Sequence, residues 1–162
     1  MPPERAERCR RMDMTGDKVR KIIDWIVPII GLGLMIFYEV CDTTCSSLQG
    51  TFLGVDLKIV GMLFMVFLLV LIPLQKSRFL APAELMKTVM LAGAVGGEIL
   101  LVHFQIVHDT YCPFCLAFGF CVVALFAANF TKMNKYLALG AFMAGIVAFA
   151  LFFEGSVLPL YT

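Results

Sequence analysis

The chemistry legible in this chain sits on cysteine. Four of its six cysteines fall in two close pairs, Cys41 with Cys45 and Cys112 with Cys115. Paired thiols of this kind exchange disulfides: a thiolate attacks a disulfide sulfur and a mixed disulfide forms on the way. In Cys112-Pro113-Phe114-Cys115 the separation of three, set at a helix start, brings the two Cα atoms within the roughly 4.4–6.8 Å that a disulfide requires. Proline suits the first helical position, and the unpaired N–H groups and positive dipole end there favour a thiolate at Cys112. Cys115 falls one turn deeper. Cys9 stands in a basic N-terminal segment and Cys121 in the middle of an apolar run, where a small thiol packs well.

These pairs must be held by apolar elements. With 60% hydrophobic and only 15% charged residues, the chain is too apolar for a water-soluble domain. Apolar runs at 22–40, 57–74, 88–107, 112–130 and 136–153 each approach the roughly 20 residues that cross a hydrocarbon core. The expectation is an all-α integral membrane protein of five transmembrane helices, with residues 1–21 a basic cytoplasmic tail and residues 22–162 one bundle. Polar or helix-breaking segments at 41–56, 75–87, 108–111 and 131–135 mark the membrane surfaces.

Charge sets the orientation. Of 13 lysines and arginines only Lys58 falls on the side of the segments at 41–56 and 108–111. The rest cluster opposite, which places the N-terminus in the cytoplasm. Both cysteine pairs then meet on the outer face, the oxidising side in a bacterium, where a disulfide persists. The expected location is the bacterial inner membrane, multi-pass, with the cysteine pairs on the periplasmic face. A cleaved signal peptide fits poorly, because the first apolar stretch is long and no small-residue cleavage site follows it.

Other chemistries compete for these residues. The two pairs could together supply the four ligands of a zinc site, or each could be a static bridge. Two adjacent pairs at one surface suit exchange better, and no metal is expected. A conduit carrying reducing equivalents or a substrate across the bilayer needs cysteines reachable from both sides. Haem is not expected, since His103 and His108 are five apart on one helix and cannot ligate it from two faces. Nucleic acid binding is not expected either: the basic cluster serves topology and attraction to anionic lipid.

The order of motifs resembles the vitamin K epoxide reductase family. The matching words are Cys45-Ser46-Ser47, the run Gly50-Thr51-Phe52-Leu53-Gly54-Val55 leading to Gly61, and Tyr111-Cys112-Pro113-Phe114-Cys115-Leu116. The resemblance covers residues 22–130. Where some members carry a tyrosine one helical turn after the CxxC, this chain has Gly119. The resemblance implies a four-helix-bundle core around a quinone, ubiquinone or menaquinone, that takes two electrons from Cys112/Cys115. The disulfide so formed passes to Cys41/Cys45 and then to a separate periplasmic thioredoxin-like protein, since no such domain is fused here. Ser46, Ser47, Phe114 and His108 are the expected quinone contacts.

Inside the expected third helix, Glu98 is a carboxylate in mid-bilayer, where a functional role is the default hypothesis and a hydrogen-bonded structural acid the alternative. His103, Gln105 and His108 lie progressively closer to the cysteine face, and His108 and Asp109 are placed to help proton transfer. Gly93, Gly97, Gly140 and Gly145 are expected to permit close helix packing.

Overall fold

The computed structural model describes residues 3–40, 48–74 and 80–157, and side chains at 17–37, 50–74 and 82–155. Cys41, Cys45, Ser46 and Ser47 lie outside the described residues. The element order is α1 (Pro3–Val40), β1 (Leu48–Phe52), β2 (Val55–Asp56), α2 (Leu57–Leu74), α3 (Leu80–Val107), α4 (Pro113–Asn129), α5 (Lys135–Phe152) and β3 (Phe153–Val157), with a 3-10 turn at Phe130–Lys132 before α5.

Helix is the default here because every backbone N–H and C=O in an apolar phase must find its partner within the segment. Among the described residues, four helical stretches, Leu57–Leu74, Pro82–Val107, Pro113–Lys132 and Lys135–Phe152, are long and apolar enough to cross a membrane. Helix α1 carries the first apolar run and continues without a break through the basic segment before it. The helices turn branched and aromatic side chains outward, among them Ile29, Leu63, Ile99, Phe120 and Leu151, and bury Met65, Leu91, Val122 and Leu125 between them.

A small antiparallel sheet, ordered β2-β1-β3, joins the expected helices. Strands β1 and β2 form a hairpin whose two-residue loop, Leu53-Gly54, has φ of 54° and 76°, the doubly positive pattern of a type I′ turn. Gly54 adopts it without strain, whereas Leu53 does so at a cost. β1 also pairs with β3, Leu48 opposite Val157 and Phe52 opposite Phe153. This ladder brings the end of α5 to the start of α2. The end of α3 lies there too, because Phe104 meets Phe153 edge-on at 5.3 Å, and Phe37 near the end of α1 meets Phe114 at 5.9 Å. The five helices therefore alternate in direction, and Cys112 and Cys115 lie at the end that carries the sheet.

Towards the opposite end, three helices are tied by a closed polar cluster. Lys87 Nζ donates to Asp24 Oδ2 at 2.7 Å and to Asn129 Oδ1 at 2.9 Å. Asn129 Nδ2 donates to Asp24 Oδ1 at 2.7 Å and to the Leu125 carbonyl at 2.9 Å. All three residues are buried. Lys87 was expected in a surface loop. Instead α3 begins at Leu80, since Pro82 in the first turn needs no N–H partner, and Asp24 supplies the opposite charge without which a buried ammonium is prohibitive.

Helices α3 and α5 approach each other closely. A Cβ added to Gly145 would run into the Gly93 carbonyl, and one on Gly96 into the Phe142 carbonyl; on Gly97 it would stand 2.6 Å from the Phe149 ring. At Gly93 an added Cβ would meet the Ala141 carbonyl oxygen at 3.6 Å, an ordinary contact. The expectation for Gly97 and Gly145 holds. Gly140 departs from it, with nothing within 4 Å of its added Cβ. Gly145→Ala should therefore destabilise the bundle by about 1–3 kcal/mol through overpacking against backbone that cannot yield. Gly140→Ala should be neutral or gain up to about 1 kcal/mol of helix propensity. Thermal unfolding of both variants in detergent checks the contrast.

Candidate functional site

The CxxC sits where α3 stops and α4 starts, and the stop is built locally. Thr110 N–H donates to the Gln105 carbonyl at 3.0 Å and Asp109 N–H to the Ile106 carbonyl at 3.3 Å. Asp109 has a φ of 47°. Together these make a Schellman stop with aspartate in the left-handed position that glycine usually takes. Three residues later Cys112, in extended conformation, is the N-cap of α4 with Pro113 next. Cys112 Sγ accepts the Cys115 N–H at 3.4 Å, and Gln105 Oε1 accepts the Cys112 N–H at 3.1 Å. Gln105 and Cys112 are both almost fully buried.

Cys115 opens onto a cavity of about 560 Å³ that Cys112 does not border. The sheet roofs it with Gly50, Phe52 and Phe153, while α2 supplies Lys58, Gly61 and Phe64, α4 supplies Phe114 and Phe118, and α5 supplies Phe149. Phe52 stacks on Phe149 with ring centroids 4.7 Å apart, closing the roof. Along α3 the lining runs from Val89 to Gln105, about 24 Å at 1.5 Å per residue. Its polarity is graded. Asp56, Lys58, Gln105 and Cys115 gather at the sheet end, Glu98 follows, and Gly93, Met90 and Val89 continue the wall in apolar groups.

The mouth is fixed by α2, whose N-cap is Asp56: its Oδ1 accepts the Lys58 N–H at 3.3 Å, and the Lys58 ammonium stands 3.8 Å from Oδ2. Glu98 is packed directly over Gly119, where an added Cβ would lie 2.7 Å from its Oε2. The same carboxylate borders a shallower apolar crevice between α3 and α4.

Of the expected site residues, Cys115 and Phe114 lie together on the cavity, with Cys112 directly behind. His108 does not. It is exposed, its Nδ1 lies 3.0 Å from the Phe104 carbonyl, and its ring packs on Phe104 at 4.1 Å. Asp109 is likewise accounted for by the helix stop. Gln105, Asp56, Lys58 and the phenylalanines other than Phe114 were not singled out from the sequence as quinone contacts. The available signal was Gln105 beside His103 in a largely apolar helix end, seven residues before Cys112.

A scan against protein-family models and searches of curated proteins and of solved structures found no match to this chain.

The junction makes a testable demand. Gln105→Leu removes the acceptor of a buried N–H and should cost about 1–3 kcal/mol of stability. Gln105→Glu keeps an acceptor at that position and should cost less. Unfolding midpoints of the two variants in detergent give the comparison, and equal losses would contradict the assigned role.

Proposed function

We propose that this chain is a membrane thiol:quinone oxidoreductase that makes disulfides, a reading in line with its resemblance to the vitamin K epoxide reductase family. The observation that carries it is the unequal placement of the two CxxC sulfurs: Cys115 borders the long aromatic cavity and Cys112 is buried behind it at the helix N-terminus. A cavity polar at one end and apolar along the rest suits a ligand with a redox-active polar head and a long apolar tail. Ubiquinone and menaquinone have that form.

In the reaction, Cys112 and Cys115 lose two electrons as an S–S bond forms between them, and the quinone takes up those electrons and two protons to become a hydroquinone. Cys41/Cys45 then attack Cys112 and carry the disulfide to a separate thioredoxin-like protein. Five membrane crossings with the N-terminus in the cytoplasm set this exchange on the periplasmic face of a bacterial inner membrane. Phe114 packs against the head group, and Ser46 and Ser47 are its candidate hydrogen-bonding partners.

The four cysteines should sort by role. In lipid-reconstituted protein, Cys115→Ser should abolish quinone reduction and trap Cys112 in a disulfide with a loop cysteine, because the resolving thiol is gone. Cys41→Ser or Cys45→Ser should block oxidation of a thioredoxin-like partner yet leave quinone reduction by a small dithiol. A zinc site would respond alike in all four variants. Identical behaviour of loop and CxxC variants, read by disulfide mass mapping beside quinone absorbance, would overturn the relay.

A further inference from the structure

Among the described residues, Glu98 is the one acidic side chain on the cavity wall below its mouth. It is part-buried and makes no hydrogen bond or ion pair among the described residues. A carboxyl left without a partner in an apolar wall is costly unless something else engages it. The Glu98 carboxyl packs over Gly119, the residue one helical turn below Cys115 on α4, where an added Cβ would stand 2.7 Å from Oε2. Four residues at 1.5 Å each put the carboxyl about 6 Å along the helix from Cys115. A quinone ring held between them would present one oxygen towards Cys115 and the other towards Glu98. Gly119 is what admits the carboxyl to that place, since any Cβ would collide with it.

We propose that Glu98 is the proton donor to the quinone oxygen remote from Cys115, and that Gly119 positions it. The inference rests on the quinone reading above. The step begins with Cys112 as thiolate, Cys115 as thiol and Glu98 protonated. The S–S bond forms between the two sulfurs and releases two electrons to the quinone. The Cys115 proton goes to the nearer oxygen and the Glu98 proton to the farther one, which gives the hydroquinone and leaves Glu98 as carboxylate. When an incoming dithiol re-reduces the pair to Cys112 thiolate and Cys115 thiol, one proton is released, and Glu98 takes it up. The net reaction is dithiol plus quinone to disulfide plus hydroquinone.

The other titratable groups facing this space are Asp56 and Lys58 at the mouth and Cys115 on α4. His103 lies on the crevice that Glu98 also borders. Among the described lining residues, α1 and α5 contribute none. Asp56 and Lys58 engage each other, which leaves Glu98 as the carboxyl placed for the remote oxygen.

The test is steady-state reduction of a short-tailed ubiquinone by a small dithiol, with the full chain in lipid nanodiscs. Glu98→Gln should lower kcat about 100-fold, the usual scale for loss of a positioned proton donor, with KM little changed. Oxidation of reduced Cys112/Cys115 by a soluble disulfide should proceed at the wild-type rate. The part of the alkaline fall of kcat that reports loss of the Glu98 proton should be absent from this variant, leaving only the fall set by the Cys115 thiol. Gly119→Ala keeps the acid but displaces it and should also lower kcat. If Glu98→Gln misfolds, Gly119→Ala decides: a wild-type kcat there overturns the proposal. So does a wild-type kcat in Glu98→Gln, or a parallel loss of soluble-disulfide exchange, which would mark a structural role. Wild-type protein that reduces no quinone overturns the broader reading, and this one with it.

Discussion

Gln105 joins two helices that point in opposite directions. Its carbonyl accepts the Thr110 N–H that ends α3, and its side-chain oxygen accepts the N–H of Cys112, the residue that caps α4. Backbone polar groups at helix ends have no partner within the helix, and in an apolar surrounding water does not supply one. A reversal of chain direction there is feasible only if the orphaned groups are met by protein. Gln105 meets two of them at once, so the link between the helices is held to a few residues and the CxxC is fixed against the wall of α3. The unequal exposure of its sulfurs follows from that geometry.

The cavity owes its shape to a second constraint, the close approach of α3 to α5. Glycine at 96 and 145 lets the two backbones meet, which ties α5 against α3, and both helices then wall the cavity together with α2 and α4. The sheet then covers the open end. Because β3 follows α5 directly and pairs with β1, the helix that packs most tightly on α3 also brings the roof into place. Function in the proposed reading depends on this enclosure: the cavity beside Cys115 is lined by aromatic rings from α2, α3, α4, α5 and the sheet and, among the described residues, by polar groups only at the mouth and at Glu98.

Much of this was legible in the sequence, for a physical reason. Apolar runs of membrane-spanning length report directly on helices, and the runs at 57–74, 112–130 and 136–153 begin and end within a few residues of α2, α4 and α5. The CxxC at a helix start was visible for the same reason, since proline at the first position and the end of an apolar run coincide. What was hidden depends on partners distant in sequence. The strand at Phe153–Val157 exists because Leu48–Phe52 lies beside it. The early start of α3 rests on Lys87 being buried, which only Asp24 and Asn129, on two other helices, make tolerable. His108 is close to the cysteines in sequence, yet the Schellman stop leaves it exposed beside Phe104, whereas Gln105, three residues earlier, points into the junction.

The central claim is that electrons leave the Cys112/Cys115 pair for a quinone held in the cavity. Its most direct measurement is an anaerobic single turnover of fully reduced, lipid-reconstituted protein with one equivalent of quinone, followed by quinone absorbance and by mass mapping of disulfides. The account predicts one Cys112–Cys115 disulfide formed for each quinone consumed in the Cys41→Ser/Cys45→Ser background, where the disulfide cannot move on. Quinone left unreduced, or consumed without that disulfide, would contradict it.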